Sequence, residues 1–447
     1  MTSLSAEKSA AGPVRRPFVI GALVAAVVWT VWVTCQHWPA VWLALGIGQS
    51  SQPFVDFYGL LASSDAYWAG INPFVPFDWD PYRRPFLYGE WWFALGWLGL
   101  GRKDNVWMGY LLAALVLLVS LFMARPRERR EWVYLFLLLV SPAWLLSFTR
   151  ANNDPVVLVL VSLGLCCYRS ERWPQRVLGI LLFASCVALK YYPLVTLVVL
   201  LDARNRRELV ASLAFYFTIL VISWPFLEPG FRAASRYTPG PSWLYAFGAP
   251  ILLRNFELES RFAWLVPATA LTLWALWLVW RQLGNFTSGK PLDREISVRP
   301  AGGTTAADER EFLCGASLLV GLFFLGASYA YKLIFAVWML PWLWRMASAD
   351  GLERKWARRT LGFLLAVACL DGWGAVVINL GIARWSVPAA QTFLKMVLTL
   401  TQVLSWGLVI CLFRLLPVVA APRLFRLLLG RPVAAARTEN GLPATSA

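Results

Sequence analysis

The sequence has few of the side chains on which most metal and redox sites depend. It contains one histidine, His37, which excludes a histidine-rich metal site and a relay of histidines. Its seven cysteines fall mainly in apolar stretches and form no CxxC pair, so neither a zinc site nor a disulfide framework is indicated. Charged residues make up only 15% of the chain. His37 follows the first apolar stretch, where we expect an interfacial residue rather than a catalyst.

Long apolar runs dominate the chain. Hydrophobic residues make up 59% of it and the mean hydropathy is +0.58. A run of about 18 or more apolar residues can cross the bilayer as a helix, and 26 tryptophans suit its two interfaces. We therefore predict an all-α polytopic membrane protein in which residues 1–447 form one domain. The runs lie at 17–35, 105–124, 132–149, 155–168, 177–201, 208–227, 262–280, 312–344, 360–379 and 391–413.

Basic loops between these runs predict the topology. The net charge of +16 comes largely from Lys and Arg in short loops, which favours control of membrane orientation over binding of nucleic acid. The most basic loops are 125–131, 169–176, 202–208 and 345–359. We expect all four in the cytoplasm, because cytoplasmic loops carry an excess of positive charge.

Two apolar runs must break if these loops share one side. The run 177–201 lies alone between two basic loops, and Lys190 and Pro193 predict a break that turns the chain back. The run 312–344 is expected to break at SYAYK, which contains Lys332. About twelve membrane segments result, with both termini cytoplasmic. The remaining segments are external loops at 36–104 and 228–261, a flexible cytoplasmic loop at 281–311 and a disordered cytoplasmic tail at 432–447.

An acidic residue follows the first run. Asp56 lies in VDFYGLLASSDAYWAGINPF, residues 55–74, whose apolar spacing predicts an amphipathic helix on the outer face that ends at Gly70. Asp65 is nine residues further on, about half a turn away, so the two acids do not form the carboxylate pair of a retaining glycosidase. Asp56 either caps the helix or acts as a functional carboxylate at the mouth of the bundle.

Further candidates lie at predicted membrane edges, where a charge is costly unless it is used. Lys190 and Lys332 either bind an anion or extend to the interface. Arg150 precedes Asn152 and Asn153, which either bind a ligand or cap the next helix.

Two arginines in DWDPYRRP, residues 78–85, have aspartates beside them. Ion pairs within this loop are favoured for Arg83 and Arg84 over a role in ligand binding. Asp78 and Asp80 could hold a divalent ion, but a solvated loop is the favoured interpretation.

Three motifs follow one another in a characteristic order. They are DFYGLLASSDAYWAGINPF from Asp56, RANND at 150–154 and ALKYYP at 188–193. Together they resemble the GT-C superfamily of polyprenyl-phosphate-sugar-dependent glycosyltransferases, most closely glycosyltransferase family 87. The resemblance covers roughly residues 17–200, and beyond it SYAYK at 328–332 is similarly placed. Some members carry histidines in the final third of the chain, and this sequence has none there.

The resemblance implies an inverting membrane glycosyltransferase with a GT-C fold in the plasma (inner) membrane. Such an enzyme moves mannose, or another hexose or pentose, from a polyprenyl-phosphate donor to a lipid or glycan acceptor on the external, periplasmic face. Asp56 is then the general base, with no metal or cofactor required. The donor phosphate is assigned to Lys190, Lys332 and Arg150. The sugar or the acceptor is assigned to Asn152, Asn153, Tyr191 and Tyr331.

Two other functions fit the same hydropathy. About twelve spans with broken helices also describe secondary transporters and flippases, although no repeat relates the two halves of this chain. A polymerase of lipid-linked glycans would share the basic groups but has no evident need for Asp56 just after the first span.

Overall fold

The computed structural model describes residues 15–36, 38, 40, 52–237, 247–249, 251, 265–287, 304–324, 329–370, 372 and 387–429. The regular structure within these ranges is helical, which confirms the all-α prediction. His37, the predicted tail 432–447 and residues 288–303 of the predicted loop 281–311 lie outside the described residues.

Helices of very different lengths build the described part of the chain. The α-helices are α1 Arg15–Gln36, α2 Val55–Trp68, α3 Ala94–Trp97, α4 Asn105–Ala124, α5 Arg129–Leu139, α6 Pro142–Arg150, α7 Asn153–Tyr168, α8 Trp173–Leu189, α9 Arg206–Tyr237, α10 Leu265–Thr287, α11 Ala306–Phe324, α12 Leu340–Ser348, α13 Leu352–Leu370 and α14 Val387–Leu429. The 3₁₀ helices are Glu90–Phe93, Arg102–Asp104, Tyr192–Asp202 and Ala330–Met339. Large apolar side chains such as Trp144 and Trp338 are fully buried between them.

Several helices can cross a membrane. Four of the described helices are long and apolar enough, and a fifth span results if the bent pair α5–α6 counts as one. The four lie at Pro17–Thr34, Arg102–Ala124, Arg206–Tyr237 and Lys395–Leu428. Shorter apolar helices include α7, α8 and the 3₁₀ helix Tyr192–Asp202. The chain is therefore a multi-pass membrane protein, and the number of about twelve segments stays a prediction.

The predicted break in the run 177–201 is present. Helix α8 ends at Leu189, Lys190 has extended backbone, and the chain continues as the 3₁₀ helix Tyr192–Asp202. The two arms pack together, and the loops at their far ends touch, since Arg176 Nε lies 2.8 Å from Glu208 Oε1. The basic loops 169–176 and 202–208 therefore share one end of the molecule.

A second return includes the run 312–344. Helix α11 packs against the 3₁₀ helix Ala330–Met339, and Lys332 lies near the start of that 3₁₀ helix. Asp308, at the start of α11, pairs with Arg345 in α12 and with Arg125 at 3.1 Å. The beginning and end of this return therefore meet at the end of the molecule that carries loop 125–131.

Two expectations about helix limits were wrong. The run 132–149, expected as one helix, bends by 53° between α5 and α6. Pro142 starts α6, where its missing N–H is tolerated but the preceding helix cannot continue straight. The external loop expected at 228–261 begins later, because α9 continues through Pro225 and Pro229 to Tyr237.

Helix α2 occupies most of the sequence predicted to be helical after the first run. Its C-terminal end follows the prediction, since Gly70 has φ +77° and its N–H donates to the carbonyl of Tyr67 at 3.0 Å. The predicted amphipathic character is not confirmed, because residues 59–64 are buried without interruption. The helix is packed into the protein, and this packing fixes the position of Asp56 in its first turn.

Candidate functional site

The Asp56 carboxylate is held by two arginines that are distant in sequence. Arg150 Nε donates to Oδ2 at 2.6 Å, and Arg150 Nη2 donates to Oδ1 at 2.9 Å. Arg84 Nη1 also donates to Oδ1 at 2.9 Å. Phe54 occupies the N-cap position, and the Asp56 side chain bonds to arginines instead of capping the helix. The capping alternative is therefore not the arrangement found.

These contacts favour the ionised form of the Asp56 carboxyl. Burial raises the pKa of its carboxyl, but the guanidinium groups of Arg150 and then Arg84 outweigh burial and hold the pKa below its usual value. The position of Asp56 in the first turn of α2 also places it near the positive end of the helix dipole. Asp56 is therefore a carboxylate at neutral pH.

Arg84 is itself held by a buried acid, Asp80. Arg84 Nε and Nη2 donate to the two oxygens of Asp80 at 3.1 and 3.0 Å. The expected local pairing is thus present, but Arg84 also reaches Asp56, which the sequence interpretation did not anticipate. Arg83 behaves as expected and makes an exposed ion pair with Asp78 at 3.0 Å.

A second charged group lies where α7 begins and α8 ends. Asp154 is fully buried, and Lys190 Nζ donates to its Oδ1 at 2.5 Å. Tyr192 Oη donates to the same oxygen, and Lys190 also donates to Asn153 Oδ1. Asn152 caps α7, since its side chain accepts from the Asp154 N–H at 2.9 Å. The capping alternative therefore holds for Asn152, whereas Asn153 contacts Lys190.

Tyr88 lies in the field of both charged groups. Its ring centroid lies 5.4 Å from Lys190 Nζ, and the charges of Asp56 and Asp154 both act on its hydroxyl. Burial, followed by the charges of Asp56 and Asp154, raises the pKa of Tyr88. Tyr88 is therefore a neutral phenol beside both charged groups.

The two predicted lysines lie beside one aromatic ring. Lys190 and Lys332 each place Nζ 5.2 Å from the ring centroid of Tyr192. Lys332 is buried, and within the described part of the chain its ammonium has no hydrogen bond or ion pair. Because Lys190 is paired with Asp154, Lys332 is the less satisfied cation of the two.

The predicted tyrosines lie in different surroundings. Tyr331 is buried, stacks on Tyr329 with ring centroids 5.3 Å apart, and interacts electrostatically with Arg150. Tyr191 points toward α9, where its hydroxyl donates to the Leu227 carbonyl at 3.2 Å. Tyr331 therefore lies at the charged site, while Tyr191 contributes to helix packing beside it.

Sequence reasoning missed three members of the site. Asp154 follows the two asparagines in RANND, so its position was visible, but its pairing with Lys190 depends on two helix ends meeting. Tyr88 had no distinguishing pattern. Arg84 was assigned only to its own loop. The structure brings Asp56, Arg150, Asn153, Lys190, Tyr331 and Lys332 together with these three residues.

The model of one protein family matches the part of the chain that holds much of this site. Residues 92–288 match glycosyltransferase family 87. The chain is similar to glycosyltransferase family 87. This confirms the resemblance to family 87 predicted from the sequence and supports a membrane glycosyltransferase. The family 87 segment includes Arg150, Asp154 and Lys190, whereas Asp56 precedes it and Lys332 follows it.

The chain also has a weak structural similarity to a solved protein. The crystal structure of ArnT from Cupriavidus metallidurans in the apo state is 13% identical, with a TM-score of 0.37. The aligned region covers 88% of this chain and 78% of that one. No curated protein matches the sequence.

Proposed function

We propose that the protein transfers a sugar from a polyprenyl-phosphate donor to the hydroxyl of a lipid or glycan acceptor. One observation carries the proposal: the Asp56 carboxylate shares a largely buried site with the four cations of Arg84, Arg150, Lys190 and Lys332. A carboxylate that accepts a proton and cations that stabilise a phosphate leaving group are the two requirements of this reaction. The similarity to family 87 supports the same reaction class.

In the proposed step, the acceptor oxygen forms a bond to the anomeric carbon of the sugar. The bond from that carbon to the phosphate oxygen breaks, and its electron pair stays on the phosphate. The proton of the acceptor hydroxyl moves to Asp56. One displacement with one carboxylate inverts the anomeric configuration, and the step uses no metal.

The cations have separate parts in this proposal. Arg150 and Lys332 bind the phosphate. Lys190 stays paired with Asp154, and its positive charge attracts the phosphate from there. Negative charge grows on the phosphate as the bond breaks, so cations fixed in a site of low dielectric stabilise the transition state more than the ground state. Asn153 and Tyr331 are proposed to contact the sugar or the acceptor.

The site is proposed to face the outside of the plasma membrane. The basic loops 125–131, 169–176, 202–208 and 345–359 predict the cytoplasmic end. Contacts between Arg176 and Glu208, and between Asp308 and Arg345, gather these loops away from the site. The donor chain would then lie in the bilayer while the acceptor arrives from the aqueous side.

Sugar transfer by the purified protein tests the proposal. We would supply polyprenyl-phosphate-mannose and related pentose and hexose donors to wild type, Asp56→Asn and Asp65→Asn in liposomes. Asp65 is a matched control because it lies on the same helix and pairs with one arginine, Arg102, at 2.9 Å. Asp56→Asn should lower the rate about 10²–10⁴-fold, the usual contribution of a general base.

The control separates catalysis from folding. Asp65→Asn should stay within about threefold of wild type, since the half-buried Asp65 pairs with Arg102 and not with the cations around Asp56. Transfer that survives in Asp56→Asn would remove Asp56 from the mechanism and leave the enzyme class intact. If the complete donor panel gives no transfer while vesicles carry lipid-linked sugar across the bilayer, the flippase alternative replaces the transferase.

A further inference from the structure

The proposed base, Asp56, accepts several charged hydrogen bonds in the structure. Asp56 accepts three hydrogen bonds from guanidinium groups, and its side chain is only 13% exposed. The three charged donors occupy three of the roughly four lone-pair sites of the carboxylate and lower the basicity of the oxygen that is to take the proton. Loosening these contacts before the reaction begins would therefore make Asp56 a stronger base.

The two arginines on Asp56 are not held equally. Arg84 has a second acid, because two of its nitrogens donate to Asp80 at 3.1 and 3.0 Å. Asp80 is itself fixed, since its Oδ1 accepts from the backbone N–H groups of Tyr82 and Arg84 at 2.8 and 3.1 Å. Arg84 can therefore move away from Asp56 only if its hydrogen bonds to Asp80 break.

Arg150 has no such second acid among the residues that the structure describes. Within the described part of the chain, the hydrogen bonds and ion pair of its side chain all go to Asp56. The side chain is 31% exposed and lies at the C-terminal end of α6, beside Tyr331. It is also the only donor to Asp56 Oδ2 among the described residues. Removing Arg150 would thus free one complete oxygen.

A phosphate anion offers Arg150 an equally suitable partner. Guanidinium groups bind phosphate and carboxylate with the same two-point geometry. We propose that the donor phosphate takes Arg150 from Asp56, and that this exchange frees Asp56 Oδ2 to accept the proton of the acceptor hydroxyl. The inference rests on the proposed function and adds its regulation: the base reaches its full strength only when the lipid phosphate is bound.

Apart from Arg150, the described groups around Asp56 are unsuited to this exchange. Among the described residues, the charged and titratable groups that face it are Arg84 and Tyr88 from the loop before α3, Arg150 from α6, Lys190 after α8 and Tyr331 from the 3₁₀ helix Ala330–Met339. Lys190 is already paired with Asp154, and the tyrosines carry no positive charge. Arg150 is therefore the cation that can change partners.

The exchange sets an order of events. The donor binds first, Arg150 moves to its phosphate, and the acceptor then meets a free carboxylate oxygen. After transfer, the polyprenyl phosphate leaves, Asp56 loses the proton to water, and Arg150 returns. Phosphate and Asp56 thus compete for Arg150, and this competition can be measured without any sugar transfer.

Binding of farnesyl phosphate, a short polyprenyl phosphate without sugar, tests the competition. Calorimetry on the purified full-length protein in detergent would compare wild type, Asp56→Asn, Arg150→Ala and the double variant. Asp56→Asn removes the competing charge, so it should bind farnesyl phosphate about tenfold more tightly than wild type. In the Arg150→Ala background the same substitution should change the affinity by less than about twofold.

The outcomes distinguish the inference from the function on which it rests. Unchanged or weaker binding by Asp56→Asn would overturn the exchange while leaving a phosphate site in place. An equal gain in both backgrounds would also overturn it, since the gain would then be a general effect of charge. Absence of binding by wild type and all variants would overturn both the lipid-phosphate function and the exchange. Asp56→Ser, which removes the same charge, replaces Asp56→Asn if that variant does not fold.

Discussion

Replacing Lys190 by methionine would leave a buried carboxylate without its cation. Asp154 is fully buried, and Lys190 is the cation that contacts it, at 2.5 Å. Methionine keeps much of the lysine side-chain volume and removes the charge. The perturbation therefore tests the ion pair itself with little change in packing.

The magnitude follows from what Asp154 retains. Breaking a buried ion pair by removing one partner usually costs about 3–5 kcal/mol. Asp154 would keep hydrogen bonds from Tyr192 Oη to Oδ1 and from Asn152 Nδ2 to Oδ2, the latter at 2.9 Å, and Lys332 remains within electrostatic reach. We therefore expect Lys190→Met to lower the free energy of unfolding by about 3 kcal/mol, the lower end of that range.

Thermal unfolding in one fixed detergent would compare Lys190→Met with Lys190→Met/Asp154→Asn. The double variant removes the unpaired charge, so it should be more stable than the single variant by at least about 1.5 kcal/mol. Sugar transfer should be impaired in both variants, because both lack the Lys190 cation. A single variant as stable as wild type, or a double variant no more stable than the single one, would refute the reasoning.

Two further predictions concern other carboxylates. Asp308→Asn should destabilise the protein by about 3 kcal/mol, because this buried acid joins two arginines, whereas Asp350→Asn at an exposed pair should stay within about 0.5 kcal/mol; equal unfolding midpoints would contradict this. The pKa of Asp56 is lowered from its usual 3.8, so its stabilisation is fully present above that value and is lost as the pH falls through the lower, folded-state pKa. The difference in unfolding midpoint between wild type and Asp56→Asn should therefore be constant near neutral pH and shrink below pH ~4, and a difference that instead grows on acidification would show that the sign is wrong.

The two returns of the chain were predictable because local chemistry and charge agreed. A lysine followed by proline interrupts an apolar run at ALKYYP, and basic loops on both sides require the chain to come back. The structure has extended backbone at Lys190 for this reason. Pro142 is the same kind of local signal, but no pair of basic loops requires the chain to turn back there, so the sequence predicts one helix and misses the bend.

The pairing of charges was much less predictable. Asp56 and Arg150 are 94 residues apart, and Lys190 is 36 residues from Asp154. Helical periodicity orients a side chain only relative to its own element, so it cannot say which arginine meets which acid. Arg84 shows this well: its local partner Asp80 was evident in the sequence, but its distant partner was not.

The 3₁₀ arm Tyr192–Asp202 changes how membrane crossings are counted in a chain of this kind. A 3₁₀ helix rises about 2.0 Å per residue against about 1.5 Å for an α-helix, so its 11 residues extend about 22 Å while the 17 residues of α8 extend about 26 Å. The two arms can therefore reach nearly the same depth with unequal numbers of residues. Both arms are shorter than the roughly 20 residues of an ordinary membrane-spanning α-helix. A chain with such arms crosses most of the hydrocarbon layer more often than its long hydrophobic helices suggest.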